Sequence, residues 1–288
     1  MLESFIAYVP QDIQRQFPRV VDLGANACNV ARALAQPGDA SSPPLHTRLS
    51  HLTSADTSSS LLQRDAQLEF NSLLPSHDRV TLPSQDEPLP FANQSFDAAL
   101  SSLSMHWIND LPGYLTQVAR ILKHDSPFLA AMLGGDSLFE LRTSLQLADL
   151  DRRGGVSTHV SPLADVRDMG GLLTRAGFKM LTVDVDDIVI EYPDTFALMT
   201  DLQAMGESNA ALTREMAGLR KEVLLANEAI YRELHAEGKE NVPATFRIVY
   251  IIGWTPGEGQ AEPQKRGSGQ VNLADVFGKG GTPGVKEG

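Results

Sequence analysis

Two rhythms of apolar and polar positions run along the chain. Short apolar runs recur at 20–24, 51–55, 79–82, 96–102 and 127–133, each ending in Gly, Ser, Asp or Pro, the mark of strands closed by turns. Between them, 29–34, 58–70 and 111–122 repeat apolar residues at helical spacing, the second opened by the Thr57–Ser60 cluster as a cap. Strand and helix alternate, which predicts a parallel, doubly wound α/β sheet.

Past Leu133 the pattern changes. Gly134-Gly135-Asp136-Ser137 opens a charged excursion, set apart as an insert over 134–162, before a helix over 163–176 stopped by Gly177. A long extended segment follows at 179–190, rich in β-branched residues. Helices at 192–205 and 213–235 make a helical lid of 192–236, and the run 245–254 reads as the last strand. The organisation is then an N-terminal segment 1–18, a domain 19–255, and a polar Gly/Pro-rich tail 256–288 expected to be disordered.

Composition narrows the function. Hydrophobic residues are 42% of the 288 and charged ones 21%, as in ordinary globular chains. Lys plus Arg number 24 against 36 for Asp plus Glu, and the net charge of −12 repels a phosphate backbone, so nucleic-acid binding is not expected. Cys28 is the single cysteine, so neither an internal disulfide nor a thiolate-rich metal site is available, and the histidines lack metal-ligand spacing. No apolar run nears the ~20 residues of a membrane-crossing helix. The first 18 residues show none of the Arg- and Ser-rich character of a transit peptide.

Candidate chemistry gathers where strands end. Asp22-Leu23-Gly24-Ala25-Asn26 lies at the first strand-to-helix turn, the usual seat of a nucleotide against backbone N–H groups. Only Gly24 supplies glycine there, but Asn26 tolerates a left-handed backbone and Ala25 is small. Asp56 ends the second strand, where a carboxylate meets ribose hydroxyls; Asp86 follows the third and Ser101-Ser102 the fourth. Singly, each also reads as a solvated loop residue. His106-Trp107 offers a base and an aromatic cover, or else a pair packed in the core. Arg142 and Arg153 suit either an acceptor carboxylate or surface ion pairs.

The run 101–112, the segments 134–142 and 201–209, and Val242-Pro243-Ala244-Thr245 together resemble the mitochondrial complex I assembly factors of the class I methyltransferase-like superfamily. The resemblance spans Val20 to Trp254. It implies a seven-stranded Rossmann-like sheet with helical insertions that binds S-adenosylmethionine, with Asp22, Gly24 and Asn26 at the methionine end, Asp56 at the ribose, Asp86 at the adenine, and Ser101 and Ser102 beside the reactive end. It implies work in the mitochondrial matrix, in peripheral association with the inner membrane, on an arginine of a complex I peripheral-arm subunit, by hydroxylation or methylation. His106 and Trp107 are then the catalytic candidates, with Asp136 orienting the guanidinium. The three-glycine loop and basic leader of the family are missing here. A fold of this kind also serves silent proteins, so a catalytically inactive assembly chaperone stands as the alternative.

Overall fold

A computed structural model describes residues 15–37, 44–84, 87–209 and 218–260. Chain contacts separate 1–257, which holds every element below, from 258–288, of which only 258–260 is described. Asp86 and the tail beyond 260 therefore lie outside the described residues.

The elements run β1 (Arg19–Leu23), α1 (Asn29–Leu34), β2 (His51–Asp56), α2 (Ser59–Arg64), α3 (Phe70–Leu73), β3 (His77–Thr81), β4 (Ala98–Ser102), α4 (Leu111–Ile121), β5 (Pro127–Leu133), α5 (Phe139–Arg153), α6 (Val166–Arg175), β6 (Lys179–Tyr192), α7 (Thr195–Met205), α8 (Lys221–His235) and β7 (Val242–Trp254). Seven strands form one sheet in the order β3-β2-β1-β4-β5-β7-β6. The first five are parallel, and β7 enters antiparallel between β5 and β6. The parallel half matches the expectation; the antiparallel hairpin at one edge makes the sheet mixed.

Alternation along each strand explains the layers. On β1, Val21 and Leu23 face a core shared with α4 and α6, while Val20 faces α1 on the other side of the sheet. β5 is buried throughout its length: Phe128, Ala130 and Met132 join the first core, and Leu129, Ala131 and Leu133 a third cluster roofed by α5, α7 and α8. The sheet order reverses between β1 and β4, so their carboxyl ends open the crevice in which ligands of such folds bind.

Several boundaries differ from expectation. The helix read at 58–70 is two short ones, because Asp65 leaves helical geometry to pair with Arg32 and Arg64, and Asn71 Nδ2 donates to the freed carbonyls of Asp65, Ala66 and Leu68. The Ser58 side chain caps the first of them. Helix α6 begins three residues late, where Asp165 accepts from Arg167 N. Tyr192 ends β6 instead of opening a helix, and α7 starts beyond the cap Asp194. The last helix begins at Lys221, while 210–217 lie outside the described residues.

Candidate functional site

The turn after β1 is built on Gly24. Its backbone sits at φ +73°, and a side-chain carbon there would collide with Ser104 from the turn after β4. Ser104 and Ser101 both donate to the Leu23 carbonyl, at 3.2 and 2.9 Å, and so lock the β1 and β4 turns together. The hydroxyl of Ser101 is thereby spent on the fold, and Ser102 remains half-buried at the end of β4. Asn26, at φ +50°, adopts the left-handed backbone its type suits, and Cys28 shares it at φ +58° without that excuse. Leu103 and Leu138, after β4 and β5, do the same, so four of the eight described non-glycine residues with positive φ lie along this one edge. Strain of this kind collects at functional sites.

Asp22 is fully buried, and neither carboxylate oxygen has a partner among the described residues. Burial first, then the charge of Asp56, pushes its pKa up to about 8. Asp56 itself accepts from Asn26 N at 2.8 Å and Ser58 N at 2.9 Å, one bond per oxygen. Each oxygen keeps lone-pair capacity for a further donor. Tyr114, on the first turn of α4, was not singled out from sequence. Burial raises its pKa, and the charges of Asp22 and Asp56 add to the rise. Its spacing on α4 reads as an ordinary amphipathic position, so only the fold reveals it.

His106 lies in the short turn Met105–Trp107 that follows β4. Its side chain is 2% exposed; Nε2 meets Glu207 Oε1 at 2.9 Å, just past the end of α7, and Nδ1 is buried without a partner. Trp107 is half-buried, its ring centroid 5.7 Å from that of His106. Asp136 does not join this group: it is 68% exposed and ion-paired to Arg247, which Asp187 also grips at 2.7 Å. The chain's own guanidinium fills the role expected of a substrate's. Arg142 and Arg153 are likewise committed internally, to the Gly135 carbonyl and to Asp149 and Ser157.

A model of the methyltransferase domain matches residues 21–130, the span from β1 into β5. The mitochondrial arginine-hydroxylase NDUFAF5 of Danio rerio is 44% identical over 265 residues, covering 92% of this chain and 77% of that protein. The chain belongs to the NDUFAF5 family. The Homo sapiens member is 43% identical over 273 residues, covering 95% of this chain and 74% of its own. A candidate methyltransferase of Bacillus halodurans, at 12% identity, superposes with a TM-score of 0.57 over 88% of this chain and 98% of that one, which shows the fold. Within the NDUFAF5 family this chain is thus an enzyme of the methyltransferase superfamily on a class I sheet. No described helix is long and apolar enough to cross a membrane.

Proposed function

We propose that the chain binds S-adenosylmethionine in the β1–β4 crevice and modifies an arginine of a complex I peripheral-arm subunit in the mitochondrial matrix. The observation that carries the reading is Asp22: a buried carboxyl with no partner is costly unless a ligand uses it. The donor set fits the cofactor. Asp22 and the Gly24 turn would take the cationic methionine end, and Asp56 the ribose hydroxyls. When bound, the cofactor supplies an electrophilic methyl group on sulfur. Relatives named arginine-hydroxylase and mitochondrial support the acceptor and the compartment.

The chain's own groups have definable tasks. Asp22 holds a proton near neutral pH and gives it up as a cation arrives. Glu207 Oε1 pairs with His106 Nε2 and orients the ring, which leaves Nδ1 as the ring nitrogen available to a substrate. Helix α7 acts as a lid, since its end reaches His106. A silent chaperone gains no specific support, for it would keep Asp22 buried and unpaired to no purpose.

The test is peptide mass spectrometry of peripheral-arm subunits from cells with the chain, without it, and with Asp22→Ala. An arginine gaining an oxygen marks a hydroxylase, and one gaining a methylene a methyltransferase. If no arginine depends on the chain, the proposal falls.

A further inference from the structure

A small cleft of about 50 Å³, open to solvent, is lined by the last residue of β5, the start of α5, the end of α7 and the segment 159–163. We infer that this cleft seats the acceptor's cationic side chain, with Glu207 as the counter-charge. The inference rests on the reading that the acceptor is an arginine.

The walls suit an aliphatic stem with a charged tip. Leu138 and Leu141 line one side, Leu202 and Val160 others, and Glu207 stands among them with Asn209 and His159. Glu207 is held firmly. Gly206, at φ +84°, ends α7, Glu207 N donates to the Leu202 carbonyl at 2.8 Å, and Asn209 Nδ2 ties the segment to the Thr158 carbonyl at 2.6 Å. Its side chain is 20% exposed; His106 occupies Oε1, and Oε2 has no partner among the described residues.

The neighbouring charges single it out. Asp149 is fully buried and already satisfied by His159 at 2.6 Å, Ser157 at 2.7 Å and Arg153 at 3.4 Å. Among the described residues, Glu207 is the one carboxylate lining the cleft, and no lysine or arginine lines it. A guanidinium, planar and with paired donors, matches a carboxylate with a free oxygen better than a neutral group does. The location fits as well: the same Glu207 touches His106, from the turn after β4, and Leu103 N in that turn bonds to the β5 carbonyl of Ala131 at 2.8 Å.

The probe is acetyl-arginine methylamide, titrated into the full chain with methyl-labelled leucines and followed by NMR, beside its citrulline and lysine counterparts. Saturable shifts at Leu138, Leu141 and Leu202 are expected for the arginine compound, with at least tenfold weaker binding of the citrulline one. Glu207→Gln should weaken the arginine compound at least tenfold; if that variant fails to fold, Val160→Trp, which puts a large ring on a residue lining the cleft, should abolish the same shifts. Absence of saturable shifts, equal binding of the citrulline compound, or Glu207→Gln binding within twofold of the native chain overturns the inference, as does equal binding of the lysine compound. A chain-dependent arginine modification without probe binding discards the cleft and keeps the function. Probe binding without any modified arginine does the reverse.

Discussion

Asp22 ties stability to pH. Its pKa stands at about 8 in the fold against 3.8 as the ordinary value, so between those limits the unfolded chain has released a proton that the native one keeps. Stability therefore falls as pH rises through that window. His77 works in the opposite sense. Burial, then Arg79, lowers its pKa from 6.5 to about 4, so stability falls as pH drops between those values. The two oppose one another below pH 6.5, and above it Asp22 acts alone. In the ligand-free chain the melting temperature should decline from pH 6.5 to pH 8, and Asp22→Asn should remove the decline. The variant gains at least about 1.4 kcal/mol at the alkaline end, the worth of one pKa unit. An identical profile in native and variant chains would sink this account.

The same proton marks ligand binding. Calorimetry with S-adenosylmethionine at neutral pH, in buffers of different ionisation enthalpy, should register proton release that Asp22→Asn lacks. Gly24→Ala tests the floor of the crevice. The methyl group meets Ser104 in a backbone already at positive φ, so the variant should lose about 1–3 kcal/mol of stability and most of its cofactor affinity, read by thermal unfolding and calorimetry. From sequence, Asp22, Gly24 and Asn26 were legible because strand, turn and helix follow one another within a dozen residues. Tyr114 and Glu207 were not, since each reaches the site across the fold, Glu207 from 101 residues beyond His106. No local pattern carries such a meeting.

At the scale of elements, apolar runs announced the strands wherever burial is two-sided, as in β5, and the long β6 showed through its β-branched residues despite four acidic positions. What stayed hidden was order in space. Nothing in the spacing of β6 and β7 says that the later strand slips between β5 and β6, an order that goes with α7 and α8 sharing a core with α5. The break between α2 and α3 was equally hidden, and Asn71 sustains it beside the Asp65 ion pairs. Asn71 donates to three carbonyls at 2.8–3.3 Å and accepts from Arg79, so Asn71→Ala removes several part-buried hydrogen bonds at once. Urea unfolding should show a loss of about 0.5–1.5 kcal/mol, the net worth of a typical hydrogen bond. A loss no larger than that of an exposed substitution would mean that solvent reaches those carbonyls and that the break has another cause.

The whole molecule carries a net charge of −12, and a cationic acceptor gives that charge a task beyond solubility. An acidic surface raises the rate of encounter with a basic partner, and the effect weakens as the screening length shrinks from about 30 Å at 0.01 M salt to about 8 Å at 0.15 M. Association with an arginine-rich peptide, followed by stopped flow, should therefore slow by about tenfold or more over that range. Glu207→Gln separates the long-range field from the local contact. It alters the net charge by one and leaves the field nearly intact, so its effect should fall on dissociation and not on the salt-dependent approach. If the association rate ignores salt while Glu207→Gln still speeds dissociation, the acceptor is recognised only at contact and the acidic surface does no steering. If the variant slows association instead, Glu207 acts as part of the field, and the cleft loses its claim to a specific counter-charge.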